Sequence, residues 1–448
     1  MNQKNFVITK LEKMLPAGRN RRLAIGVISG VFTKGMGFMI TLISVPMTLH
    51  HLGAEQYGIW VTMISMLAWI SMVDLGLANG LTPLLSSAFG KGRADLAREY
   101  VATAFWGLTT IASIVAVVIA TSWTWINWGR AFNIENQTIE TQVATAMAVA
   151  ITFFLLSLPL SIVQRIYFAY QQGFVANMWQ LLVGLAGVIG IFWVTKTQGN
   201  LVYLVFGYSG AQLIVMLANA VWLFGWSKPE LRPFVRPNLT EAKQVLTMGS
   251  MFFINQISTL VIFQKDNILI THYLGPAQAT PYSITWQMFL YLNVINILIA
   301  PYLGPALGEA HAKGDIRWMR KIFGRYILTT CAVALPVVAF LAWFHMPILR
   351  MWVGHDVIPT KETVFWLALW TVLLSVQWPI ITLLNNTGRL RIFTISYGLA
   401  ALLNLPLSVI LIKTVGVSGG VMASVITMIV IVLGPSLREV SILLKISR

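Results

Sequence analysis

Apolar positions along this chain fall in unbroken runs, with no strict alternation. IASIVAVVIA (111–120) is typical. Runs near the roughly 20 residues a helix needs to cross a bilayer can be drawn at 23–45, 57–80, 101–126, 142–163, 174–195, 201–226, 244–271, 281–304, 327–349, 363–384, 392–412 and 417–437. Strands of a transmembrane barrel are about 10 residues long and alternate polar with apolar. These runs do neither, so the pattern predicts an all-α integral membrane protein with twelve transmembrane helices.

A second pattern is laid over the first. HHLGAEQYG (50–58) and HYLGPAQ (272–278) share His50/His272, Leu52/Leu274, Gly53/Gly275 and Gln56/Gln278 at an offset of 222. Carried without a gap to residue 92, the same offset pairs Pro83 with Pro305 and Lys91-Gly92 with Lys313-Gly314, giving 12 identities in 43 positions. Such self-similarity marks a duplicated unit. Six spans per copy is an even number, so both copies enter the membrane in the same orientation, as two six-helix lobes related by a parallel repeat. The expected organisation is a basic N-terminal segment (1–22), an N-lobe (23–226), a linker (227–243), a C-lobe (244–437) and a tail (438–448). The linker SKPELRPFVRPNLTEAK holds three prolines, which cannot continue a helix. The repeated LG stretches read as short turns between spans one and two and between spans seven and eight, with glycine allowing the reversal.

Only 10% of the 448 residues are charged, well below the roughly 25% of soluble domains. The net charge of +16 would suit nucleic acid were it not for its placement. With the N-terminus inside, 24 of the 31 Lys and Arg fall in cytoplasmic segments, 5 in outer ones and 2 within spans. That bias is the positive-inside pattern, with both termini cytoplasmic. The basic charge therefore orients the chain and meets lipid headgroups, and no nucleic-acid partner is implied. The start shows no cleavable signal. Val7, Ile8, Leu11, Met14 and Leu15 share a helical face beside three lysines, which suits a helix lying on the inner surface. A single cysteine, Cys331, excludes an intrachain disulfide and a multi-cysteine metal site. No metal or cofactor is expected. The histidines near the outer face, His50, His51, His272, His345 and His355, read as interfacial polar residues.

Charges inside the spans are the candidates for chemistry, because each costs roughly 2.5–3.5 kcal/mol at a helix centre. Four qualify: Lys34, Asp74, Lys265 and Asp266. Lys34 lies deep in span one among the small residues of TKGMG (33–37), where a substrate or a neighbouring helix could come close. A partner such as Asp74 is the competing reading. Asp74, in VDLGLANG (73–80), faces Asn296 across the repeat, so one site ionises and its twin does not; proton or cation coupling through Asp74 or Asp266 is one reading and a structural role the other. Lys265 either reaches the substrate or snorkels to the outer interface. Arg165 and Arg389 close spans four and ten on the inner side, where their default role is topological; they stand with Lys34 and Lys265 as cavity candidates for substrate.

The LGxxxYG turn (Leu52, Gly53, Tyr57, Gly58), then DLGL (74–77), then a basic inner turn, resembles the polysaccharide-transporter flippases of the Wzx type. GVSGGVMAS (416–424) resembles that family's usual entry to span twelve. The resemblance covers nearly the whole chain. It implies a MATE-like fold of the multidrug/oligosaccharidyl-lipid/polysaccharide exporter superfamily in a bacterial inner membrane. It further implies alternating-access transfer of an undecaprenyl-diphosphate-linked oligosaccharide from the cytoplasmic to the periplasmic leaflet for cell-surface polysaccharide synthesis, with a polymerase and chain-length proteins as candidate partners. An ion-coupled multidrug or metabolite antiporter of the same fold is the alternative. A membrane-embedded glycosyltransferase or polymerase would need a substantial outer loop bearing catalytic groups, and the outer connections here are all under about 20 residues. No enzyme is expected.

Overall fold

The computed structural model describes residues 19–74, 77–235, 239–290, 292, 294–354 and 357–445. The expected surface helix within 1–18, Leu75 and Gly76 of the DLGL stretch, and His355 lie outside these. Every regular element among the described residues is helical. The first half comprises α1 (Arg19–Ile70), α2 (Leu77–Gly90), α3 (Ala94–Ser122), a short α4 (Trp128–Phe132), α5 (Gln137–Ser157), α6 (Ile162–Ala169), α7 (Gly173–Lys196) and α8 (Leu201–Trp222). The second comprises α9 (Leu239–Leu274), α10 (Pro276–Leu290), α11 (Val294–Ala312), α12 (Ile316–Trp343), a short α13 (His345–Val353), α14 (Lys361–Asn386), α15 (Leu390–Val415), α16 (Gly419–Thr427) and α17 (Gly434–Lys445).

All four glycines of the repeated turns adopt the left-handed backbone that side chains disfavour. Gly53 has φ 75° and Gly275 φ 91°, while Gly92 and Gly314 have 67° and 72°. Gly53 thereby reverses α1, so that this one element carries two crossings. The second crossing is interrupted by a 3-10 turn at Ser71–Asp74 before it resumes as α2. At the matching place in the second half, α10 gives way to α11. Among the described residues nine stretches are separately long and apolar enough to span a bilayer. The architecture is consistent with twelve crossings: Gly53 splits the first stretch, and spans seven and eight are diluted by Lys265, Asp266 and Asn267 and by the α10/α11 interruption.

The two halves repeat their internal packing. In the first, α7 packs on α1 and α8, and α5 packs on α8; in the second, α15 packs on α9 and α16, and α14 on α16. Small residues bring the backbones together at both places. A Cβ on Gly190 of α7 would lie 2.1 Å from the Gly207 carbonyl oxygen of α8, and one on Gly419 of α16 would lie 2.3 Å from Leu411 of α15.

Candidate functional site

The halves meet along a polar seam near the Gly53 and Gly275 turns. A Cβ on Gly58 would fall 1.7 Å from the carbonyl oxygen of Pro276, a space that only glycine leaves open. Thr280 donates to the Ala54 carbonyl at 2.5 Å. One turn deeper, the Thr62 and Thr271 hydroxyls lie 2.5 Å apart and the Asn267 amide donates to Ser65 Oγ at 3.1 Å. The repeated turns therefore lie against each other, and the residues that join them were masked in the sequence by their ordinary polar character. Gly58 alone carried a signal, as the last residue of LGxxxYG.

Beside this seam lies a cavity of about 700 Å3 between the halves. Lys34, Gly35, Phe38, Leu42 and Pro46 of α1 line one wall; Met288 and Leu292, Val337 and Leu341 of α12, and Ile348, Met351 and Trp352 of α13 line the other. Among the described residues, Lys34 is the one ionisable residue in that lining. Its side chain is exposed, and among the described residues it makes no hydrogen bond or ion pair. A Cβ added at Gly35 or Gly37 would meet nothing within 4 Å, so these small residues face open space and, among the described residues, no helix packs against them.

The expected alternative of a Lys34–Asp74 pair is not what forms. Asp74 is buried at the 3-10 break, and its charge acts on Arg165 of α6. Asn296, its repeat-related twin, is buried with Oδ1 left without a hydrogen-bond partner among the described residues. Lys265 does not snorkel. It is 1% exposed, and its four-carbon stem folds back so that Nζ lies 2.7 Å from Asp266 Oδ1 and 3.1 Å from Ser424 Oγ. Sequence neighbours on a helix project about 100° apart, but a long flexible chain on one of them closes that gap. Tyr282 donates to Asp266 Oδ2 at 2.5 Å, and Asn404 donates to Ser424 at 3.3 Å and Thr427 at 2.9 Å. Gly420 gives the carboxylate its room, since a Cβ there would sit 2.5 Å from Oδ1. Burying two charges is tolerable when each is paired and further hydrogen-bonded, as both are here.

Arg389 is likewise engaged: its guanidinium donates to Glu439 Oε1 at 2.9 Å and, with Arg320 donating to the Leu444 carbonyl, ties down α17. The structure thus pairs Lys265 with Asp266 and Arg389 with Glu439, leaves Arg165 within the field of Asp74, and sets Lys34 apart from them. At the same end of the molecule Trp106 donates to the Pro233 carbonyl at 2.8 Å, and Lys228 stands 3.9 Å above the Tyr170 ring. Burial lowers the Lys228 pKa from its usual range, and Glu230 partly offsets that.

With the geometry in place, comparison with known proteins gives the chain its relatives. The family model described as "Polysaccharide biosynthesis protein" matches residues 23–311, and the MatE model matches residues 252–410. A Salmonella typhimurium protein named "Putative O-antigen transporter" is 20% identical over 308 residues, 67% of each chain. Among solved structures, an inward-facing MATE multidrug transporter of the MOP superfamily superposes with a TM-score of 0.78 at 15% identity, covering 95% of this chain and 99% of its own. The lipid II flippase MurJ superposes with a TM-score of 0.69 at 14% identity, covering 93% and 87% respectively. The structural likeness carries the fold, a MATE-like pair of lobes.

Proposed function

The chain belongs to the polysaccharide biosynthesis protein family, and from that premise we propose that it flips an undecaprenyl-diphosphate-linked oligosaccharide from the cytoplasmic to the periplasmic leaflet by alternating access. It is a multi-pass membrane transporter and not an enzyme. The observation that carries the reading is the inter-lobe cavity: apolar walls with, among the described residues, one cation, Lys34. Apolar walls suit a polyprenyl chain, and an ammonium set among them suits a diphosphate, whose charge needs a partner within the membrane. Lys265 and Arg389, also candidates for substrate contact, each carry a carboxylate partner, and Arg165 lies in the field of Asp74. The proposal therefore centres on Lys34.

The same charge distribution favours a flippase over an antiporter of cationic drugs. A site for cations would present an acid to the cleft, and Lys34 would repel such a ligand. Asp266 is committed to Lys265, and the charge of Asp74 acts on Arg165. Their proposed part is in coupling: Asn267, beside Asp266, bonds across the seam to Ser65, so a change in the Lys265–Asp266 pair is well placed to alter how the halves meet.

The orientation of the account follows the charge bias, with both termini and the Lys91 and Lys313 turns cytoplasmic and the Gly53 and Gly275 turns periplasmic. Residues 227–243, of which Leu239 onward already belongs to α9, connect the lobes. Cells lacking the chain should accumulate the lipid-linked oligosaccharide on the cytoplasmic face with unchanged drug resistance. Altered drug export with normal distribution of the lipid-linked sugar would reverse the order of the two readings.

A further inference from the structure

Each half places one short helix between its third and fourth crossings, α4 in the first half and α13 in the second. Each stays joined to its own half, α4 to α5 and α13 to α12, and reaches across to the other. α13 packs on α1 and α4 packs on α9, so each covers the first crossing of the opposite half. Trp352 of α13 donates its Nε1–H to the carbonyl of Leu42 at 3.0 Å. That carbonyl is available for a reason written in the sequence: its helical donor would be the N–H of residue 46, and residue 46 is proline, which has none. From the other side, His272 Nδ1 lies 3.0 Å from the carbonyl of Arg130 in α4 and donates to it in the Nδ1–H tautomer. Its repeat twin His50 lies against Gly354, where α13 ends.

We propose that α4 and α13 are the two arms of a clasp that holds the turn end of the transporter shut, and that the Trp352–Leu42 and His272–Arg130 bonds are its catches. Both bonds run between halves. When rigid lobes rock, bonds inside a lobe survive and bonds between lobes must break or re-form. Trp352 also lines the inter-lobe cavity, so its release opens that cavity on the same side. The repeat explains why there are two arms: a half duplicated in parallel reproduces the arm, and the pseudo-symmetric packing lays each copy on the other half. The histidines that recur at 50 and 272 thereby acquire a common place, each against the opposite half's arm.

The inference rests on the alternating-access reading and its orientation, but its test needs no substrate. In a Cys331→Ser background, a cysteine replacing the cavity residue Met288 is titrated in intact cells with a membrane-impermeant thiol reagent added from outside. Trp352→Phe keeps an aromatic ring and removes the donor, so the Leu42 carbonyl loses its partner in the closed state. Labelling should rise about three-fold or more, should rise with His272→Phe also, and should rise furthest with both. Pro46→Ala returns a helical N–H to the Leu42 carbonyl, so in that background Trp352→Phe should change labelling little. Labelling by Trp352→Phe at the wild-type rate would overturn the clasp. So would an equal rise with and without Pro46→Ala, which would assign the effect to ring packing. Failure of the clasp would leave flipping of the lipid-linked sugar intact, and failure of the sugar assignment would leave the labelling pattern intact.

Discussion

Lys34 is an exposed ammonium facing a largely apolar cavity, and it has no carboxylate partner among the described residues. A hydrogen bond to a charged group contributes about 1.5–3 kcal/mol, so Lys34→Ala should insert normally yet slow transfer roughly ten-fold or more, read as lipid-linked oligosaccharide retained on the cytoplasmic side. Lys34→Arg should keep part of the activity. Because Lys34 makes no ion pair among the described residues, adding Asp74→Ala should restore nothing to Lys34→Ala; restored activity would mean that the lysine serves the aspartate. Sequence could find Lys34, because a lone charge in an apolar run is conspicuous. It could not find the partners of the other charges. Lys265 and Asp266 look like an interfacial lysine and a free acid until Ser424, Tyr282 and Gly420 are brought in from α16 and α10.

At the scale of elements, the seam between α1, α9 and α10 depends on one missing side chain. Gly58→Ala places a methyl group into the Pro276 carbonyl, so the halves cannot close as they do here. The expected outcome is loss of transport with a raised outside labelling of the cavity, and full transport would show the contact to be incidental. The Lys265–Asp266 pair separates stability from coupling. Asp266→Asn alone strands a buried ammonium, at a cost of about 3–5 kcal/mol, and should lower thermal stability in detergent sharply. Lys265→Met combined with Asp266→Asn removes both charges and should recover most of that stability. If the pair couples transport to a gradient, the double variant will transport without gradient dependence; retained dependence would leave the pair structural. The helices themselves were legible because a bilayer leaves backbone groups no partner outside the helix, so length and apolarity suffice. Contacts such as Asn267 to Ser65 or Trp352 to Leu42 were not, since they follow from how two halves sit together, which neither periodicity nor repeat specifies. Pro46 held half of the latter clue, a freed carbonyl, without its donor.

At the scale of the whole molecule, the repeat, the shared internal packing of the halves and the cleft between them form one design, in which two similar halves meet around an asymmetric interior. Asp74 against Asn296 shows that asymmetry in a single pair of positions. The side assignment follows from where the lysines and arginines lie. Reporter fusions after residues 92, 236, 314 and 448 should report cytoplasm, and fusions after 54, 276 and 355 the outside; a cytoplasmic report at both 54 and 276 would break the parallel-repeat topology. The central claim is that the chain moves a diphosphate-linked sugar lipid between leaflets, and reconstitution tests it most directly. Purified protein in sealed vesicles carrying an undecaprenyl-diphosphate oligosaccharide in one leaflet, with a membrane-impermeant glycosidase outside, should expose the buried pool to cleavage, and Lys34→Ala vesicles should do so far more slowly. Cleavage of the buried pool at the rate of protein-free vesicles would contradict the account.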